Sequence, residues 1–254
     1  MNDNSNKHLY KYQQDQLLKL VAKSFYKELV KYGVESSDIV TVSLHLLDHL
    51  TDQSSSDDRV GRYFSSEFLL QDIADNWKEK EQLSIHKVSL KLLLPNQISL
   101  ICRWLKKSEI QMTFIDFLPK NEIELSQYMF EDPERTYFGI HYDGTFVGII
   151  GAENIDKTHH KLEMKKFIGA DDFSGKGIGK RATFLFLYYV FMILGFNKVF
   201  IHSMDTNIRN INLNSKFGFE LEGIFFQEIY RNGELFDVVR MGLLKNNWME
   251  IFSG

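Results

Sequence analysis

Three things are scarce in this chain, and each scarcity removes a class of protein. One cysteine, Cys102, stands among 254 residues. That excludes an internal disulfide framework and a cysteine-rich zinc site, and it fits a reducing, cytoplasmic setting. Long apolar runs are missing too. The longest, Ala182–Leu194, is interrupted by Thr183 and falls short of the ~18 residues needed to span a bilayer, so it reads as a buried helix. Met1–Asn6 is polar and carries no apolar signal core, so neither secretion nor a membrane partner is expected. Positive charge is not in excess: the formal net charge is −4, with the acidic surplus in the stretch up to Ile85. No broad electrostatic case for nucleic acid follows. What is plentiful is apolar. At 44% hydrophobic and 14% aromatic, the chain can bury a substantial core in one large domain or two modest ones.

The patterning divides the chain near residue 85. Residues 1–85 read as a helical region. Tyr10–Tyr32 sets Leu17, Leu18, Val21, Phe25 and Leu29 at helical spacing, with Gly33 as a stop. Ser37–Asp38 caps a second helix bearing Val40, Leu44, Leu47 and Leu50, and Thr51–Asp58 is a polar loop. Ser66–Lys80 reads as a third helix, striped by Phe68, Leu69, Ile73 and Trp77. His45 and His49 lie four apart beside Asp48, but no third or fourth ligand has a suitable place, so surface imidazoles are expected and no metal.

Residues 86–254 alternate strands with helices. Lys87–Leu93 reads as a strand, Asn96–Lys106 and Glu122–Phe130 as helices, and Lys161–Gly169 and Lys198–His202 as strands. Asp143–Gly144 and Asn232–Gly233 are strong two-residue hairpin turns, joining Tyr137–Tyr142 to Thr145–Ala152 and Glu220–Tyr230 to Glu234–Leu244. A polar-starting helix covers Asn207–Phe217. Such a mixture implies an α/β sheet with helices on its faces. Cys102, on an apolar helix, is expected in the core, and His159 and His160 in an exposed turn.

Between the Lys161–Gly169 strand and the apolar helix the chain reads F-S-G-K-G-I-G-K-R-A, with Gly175, Gly177 and Gly179 alternating. Glycines allow close backbone approach, and a helix start offers unpaired N–H groups to a phosphate. Lys176, Lys180 and Arg181 add positive charge. The spacing is not the G-x-G-x-x-G of a dinucleotide fingerprint, and no G-x-x-x-x-G-K-[ST] run exists. A tight turn without ligand is the plain alternative. Other residues narrow the choice. The run Ser174-Gly175-Lys176-Gly177-Ile178-Gly179, then Asn207 followed by Asn214-Ser215-Lys216-Phe217-Gly218-Phe219, then Glu222-Gly223, Asp237-Val238-Val239 and Met241…Trp248 recur together. With these, residues 161–248 resemble the GNAT superfamily of acyl-CoA N-acyltransferases, in the branch of ribosomal-protein, polyamine and nucleotide-amino-sugar N-acetyltransferases. The resemblance extends back to about Lys87.

The resemblance implies an α/β fold: a mixed, mostly antiparallel GNAT-type sheet with a splayed central parallel pair and flanking helices, behind a small all-α region. It implies acetyl-CoA as cofactor. Pantetheine would lie along Phe167, Ile168 and Gly169, one of whose amides would serve the oxyanion. The pyrophosphate would meet the amides of Gly175, Lys176, Gly177, Ile178, Gly179 and Lys180, with Ser174 at the loop's start, Arg181 beside it and Asn207 near the pantetheine arm. Direct transfer also needs a base. Glu163 is the first candidate, with Glu153 and Asp156 as second choices for binding or deprotonating the amine. Three positions depart from the family pattern. Asn214 stands where many relatives carry a tyrosine that protonates the thiol, leaving Ser215, a bound water or simple thiolate release as substitutes; Asn210 replaces a small residue; Ser174 replaces Gln or Arg. The acceptor groove would form from Ile98–Phe130 and Phe225–Tyr230, with Phe226 and Tyr230 for stacking and Glu222, Glu228 and Asp237 for a cationic amine. A small-molecule amine such as an amino sugar or antibiotic is favoured over a protein N-terminus or a non-catalytic sensor. The N-terminal helices are left as a homodimer or partner surface, or a lid.

Overall fold

A computed structural model describes residues 3–31, 35, 63–107, 118–173, 175–204 and 207–253. The expected helix and polar loop between 37 and 58, with His45, Asp48 and His49, lie outside these residues, as does Ser174. Helix α1 (Asp3–Lys31) runs longer than its apolar pattern suggested. Leu20 and Ser24 are buried and Leu17 packs against the core, whereas Leu18, expected on the inner face, is 60% exposed.

The expected helix over Ser66–Lys80 is replaced by two single 3₁₀ turns, Phe64–Ser66 and Leu70–Asp72, a strand β1 (Ala74–Asn76) and a one-turn helix α2 (Trp77–Lys80). Its apolar residues find partners without a helix. Phe68 stacks on Phe184 at 5.0 Å, and Trp77 packs on Tyr189 at 4.6 Å. The Trp77 amide donates to Asp75 Oδ1 (2.9 Å), a local side-chain turn that competes with helical bonding. Ala74 then pairs with Ser84 of β2 (Gln82–Ile85), so the sheet begins inside the segment that had read as helical.

The other strands are β3 (Val88–Leu92), β4 (Thr136–Tyr142), β5 (Thr145–Asp156), β6 (Lys161–Ile168), β7 (Lys198–Met204), β8 (Glu220–Arg231) and β9 (Glu234–Leu244). Among the described residues they form one sheet in the order β1-β2-β3-β4-β5-β6-β7-β9-β8. Both hairpins turn where expected, with positive φ at Asp143 and Gly144 and at Asn232 and Gly233. All neighbours are antiparallel except β6 and β7, which pair in parallel only from Lys161–Glu163 to Lys198–Phe200. Beyond that point the two strands part.

Side chains alternate across β6. Leu162, Met164 and Ile168 face α5 (Ile178–Tyr188), which continues through a π-helical turn at Tyr189–Ile193, and this face also takes α6 (Ile208–Ser215) and α7 (Lys245–Phe252). Phe167 faces α3 (Ile98–Leu105) and α4 (Glu122–Phe130) on the opposite side, in a second core with Cys102, Trp104, Leu125 and Tyr137.

Candidate functional site

The glycine loop leads from β6 into α5, and its backbone explains its composition. Gly175 and Gly177 have φ of +76° and +69°, and Gly177 is the residue before the first helical turn. A Cβ on Gly177 would lie 2.8 Å from Arg181 Nη1 and 3.0 Å from Lys180 Cε. The Arg181 guanidinium folds back over the loop to donate to the Lys176 carbonyl (3.0 Å), while its buried Nε–H has no hydrogen-bond partner. A cradle that a methyl group would fill, beside an orphaned guanidinium N–H, fits an anion such as a pyrophosphate. Lys176 lies over the Phe173 ring at 4.6 Å. Lys180 is engaged elsewhere, paired with Glu67 and set over Phe64.

The splay beside the loop supplies a second feature. Gly169 N–H donates to the Val147 carbonyl (2.9 Å), and its own carbonyl accepts from Lys107 (3.1 Å). A Cβ on Gly148 of β5 would sit 2.4 Å from the Phe167 carbonyl. Phe167 and Gly169 therefore turn their main-chain groups toward β5. Within the stretch Phe167–Gly169 expected to lie along the pantetheine, Ile168 is the residue facing away from β5. By alternation, Met164, Lys166 and Ile168 turn theirs to the edge that β7 leaves bare.

On the α3/α4 face, at the apex of the splay, the sequence reading had found Glu163 and Glu153 but missed what they touch. Glu163 is buried and accepts from His202 Nδ1 (2.9 Å), Lys165 Nζ (2.7 Å) and Asn154 Nδ2 (2.8 Å). Burial alone would raise its pKa, but the His202 hydrogen bond and the Lys165 charge outweigh it and hold the carboxyl at about 2. Glu153, paired opposite Glu163 in the sheet, is shifted the other way. Burial raises its pKa against the hydrogen bonds donated by the Tyr137 and Tyr128 hydroxyls. Two neighbouring carboxyls with opposed shifts mark a site that separates acid from base roles. His202, half-buried, contacts Phe200 and Phe225 edge-on. The clue to this cluster was the alternation of Glu163 and Lys165 with Leu162 and Met164, matched by His202 two residues after Phe200.

The low Glu163 pKa carries a stability consequence. Its folded value of about 2 lies below the ordinary 4.5, so its stabilising contribution is complete above about pH 4.5 and lost as pH falls through 2. We expect acid melts of the wild type to lose ~3 kcal/mol across that window, with most of this slope absent in Glu163→Gln.

The remaining candidates are placed differently. Asn207 caps α6, its side chain accepting from Asn210 N–H (3.3 Å). Asn214 is 1% exposed, and both amide hydrogens go to Asn210, one to the backbone carbonyl (2.9 Å) and one to Oδ1 (3.2 Å); its own Oδ1 has no partner. Because both Asn210 oxygens require a donor, this orientation is fixed, and the amide has no acidic hydrogen to give. The Ser215 hydroxyl is spent on the Ile211 carbonyl (3.1 Å). Asp156 caps a turn, its pKa lowered chiefly by the His159 amide, and it bonds the exposed His159 ring. Asp237 alternates to the α5 face with Val239, where it accepts from Lys23 of α1 (3.3 Å) and from Gln227 N–H (2.9 Å). It thus does not join the Glu163–His202 cluster. Phe226, in the β-bulge between Phe225 and Ile229, is 74% exposed, Tyr230 is 69% exposed, and Phe225 lies against His202. An open cleft of ≈ 560 Å³ runs past Glu134, Asn154, Asp156, Lys161, Phe200 and Arg240, and Asn154 links it to Glu163.

Comparison with known proteins follows the same geometry. Residues 95–239 match the family model described as the acetyltransferase (GNAT) domain. The putative ribosomal N-acetyltransferase YdaF of Bacillus subtilis is 34% identical over 110 residues, which are 43% of this chain and 60% of that protein's length. The spermidine N(1)-acetyltransferase of Escherichia coli K12 is 24% identical over 147 residues, 51% of this chain and 78% of that one. Among solved structures, spermidine N-acetyltransferase from Vibrio cholerae in complex with CoA and spermine aligns with a TM-score of 0.60 at 23% identity, over 64% of this chain and 98% of that chain.

Proposed function

This chain belongs to the GNAT acetyltransferase family, and from that premise we propose that it acetylates a primary amine of a small molecule by direct attack on the thioester of acetyl-CoA. The observation that carries the reading is the juxtaposition of the glycine cradle, the splay of β6 from β7 and the Glu163–His202 hydrogen bond across its apex.

The residues divide the work. The loop amides from Gly175 to Lys180, with Arg181, hold the pyrophosphate, and the free edge of β6 at Lys166 and Ile168 receives the pantetheine amides. Acetyl-CoA supplies the reactive carbonyl. Glu163, ionised and neutralised by Lys165, orients the His202 ring through Nδ1–H, leaving Nε2 to accept the proton as the amine attacks. A carboxylate held at about 2 is a poor proton acceptor at neutral pH, so Glu163 acts through His202. Glu153, with Tyr128 and Tyr137, binds the incoming amine. The Ile168 N–H, turned to the bare edge, serves the oxyanion. As the C–N bond forms and the C–S bond breaks, the sulfur leaves as thiolate, because Asn214 and Ser215 have committed their hydrogens.

The names of the relatives put spermidine first among acceptors to test. The cleft carries both charge signs, Glu134 and Asp156 against Lys161 and Arg240, which suits amino sugars as well. The match to the putative ribosomal enzyme favours one second reading, acetylation of a protein α-amine. A thiol-release assay with acetyl-CoA, a panel of polyamines, amino sugars and aminoglycosides, and an N-terminal peptide decides among these. Turnover of a small amine is expected; turnover of the peptide alone favours the second reading. No acetyl-CoA binding at millimolar concentration overturns both. Helix α1, tied to the closing hairpin through Lys23 and Asp237 and anchored by Leu20, acts as a brace on that hairpin.

A further inference from the structure

Lys166 has a side chain that the transfer reaction does not use. It points from β6 to the α5 face, beside Met164 and Ile168 and level with Ile150 of β5. Its Nζ lies 2.5 Å from Thr183 Oγ1 and 3.5 Å from the Gly179 carbonyl, and the Thr183 hydroxyl itself donates to that carbonyl (2.9 Å). Among the described residues no carboxylate pairs with it.

The charged groups around it offer no relief. From α5 and its loop come Lys176, Lys180 and Arg181, all cationic, with Lys180 already neutralised by Glu67. Asp171 of the preceding turn is held by Lys107 at 2.6 Å, and Asp172 beside it is the other acid. The packing on this face from β5 and β7 is apolar, through Ile150 and Ile201. A half-buried ammonium against the first turn of a helix, with no carboxylate beside it among the described residues, lacks a counter-charge. Burial accordingly lowers its pKa from 10.5 to about 8.

A doubly charged pyrophosphate on the adjacent loop would supply the missing anion. We propose that Lys166 is a positioning residue for the cofactor that takes up a proton when the phosphates bind, making acetyl-CoA affinity fall in alkaline solution. This rests on the cofactor reading of the loop. The sign follows from linkage. Below about pH 7 the amine is protonated with or without ligand, and little changes. Above about 8 the free protein has lost the proton while the complex keeps it, so binding takes up close to one proton and weakens by up to tenfold per pH unit.

Calorimetric titration of the full chain with acetyl-CoA, whose thiol is blocked and does not titrate, tests this in paired buffers of different ionisation enthalpy at about pH 7 and about pH 9. The wild type is expected to take up about 0.1 proton at the lower pH and close to one at the higher. Lys166→Met is expected to bind with no uptake at either pH. Lys166→Arg, cationic throughout, is expected to keep its affinity at the higher pH, also without uptake, and stands in if the Met variant fails to fold. Wild-type uptake persisting in the variants overturns the inference alone. No acetyl-CoA binding by the wild type overturns the loop assignment, and this inference with it.

Discussion

Replacing Gly177 by valine is expected to abolish measurable acetyl-CoA binding while the protein stays folded. Two costs combine. At φ +69° a branched side chain is strained, by ~1–2 kcal/mol for an L-residue in this region. Its Cβ would also crowd Arg181 Nη1 at 2.8 Å, displacing the guanidinium from the Lys176 carbonyl. The methyl groups then occupy the space the phosphates need. A weakening of about 100-fold or more is expected, equivalent to ~2.7 kcal/mol. Gly177→Ala, without branching, should fall between. Calorimetric titration reads the affinity and a thermal melt checks the fold; unchanged affinity in a folded valine variant refutes the assignment of the loop to the cofactor.

His202→Ala is expected to lower kcat by about 10²–10⁴-fold, the usual contribution of a positioned base, with acetyl-CoA affinity unaltered. The split matters, because a merely structural role would disturb binding and stability as much as turnover. Glu163→Gln should also lose turnover, but its interpretation needs the melt described above. Removing one partner of a buried ion pair leaves Lys165 uncompensated, at a cost of ~3–5 kcal/mol. The histidine is therefore the cleaner probe. If His202→Ala turns over like the wild type, proton transfer passes to Glu153, whose pKa burial raises and whose oxygen already accepts two tyrosine hydroxyls.

The correction at the start of the sheet changes how the N-terminal region is to be dissected. A truncation beginning at Leu83 would remove β1 and the first residue of β2, leaving β2 as a bare edge. Truncation before residue 63 leaves every described strand intact and removes α1 with its Lys23–Asp237 contact.

Local signals explain which elements were legible. The two hairpins declared themselves because a two-residue turn needs positive φ, and Asp-Gly and Asn-Gly accept it cheaply. Helices α3 and α4 lie within the stretches read as helical, with Pro95 just before α3 and Asn121 capping α4. The stretch from Ser66 to Lys80 misled because Phe68, Leu69, Ile73 and Trp77 imitate a helical stripe, while the partners of Phe68 and Trp77 (Phe184, Phe217 and Tyr189) come from distant parts of the chain. Asp237 and Tyr230 misled because alternation offers two faces without saying which one meets the cluster: Asp237 shares the face of Val239, and Tyr230, opposite Leu235, stays exposed.

By itself the sequence determined the hairpins, the glycine loop with its cationic flanks, and through its spaced motifs the family; these depend on backbone preferences and spacings that act within a few residues. Only the tertiary structure decided the catalytic neighbourhood. Glu163 and His202 are 39 residues apart and meet because β6 and β7 hold a parallel register for three residues and then separate. Strand alternation says that a residue points to one of two faces but not which strands will share that face, and that choice is made by long-range pairing.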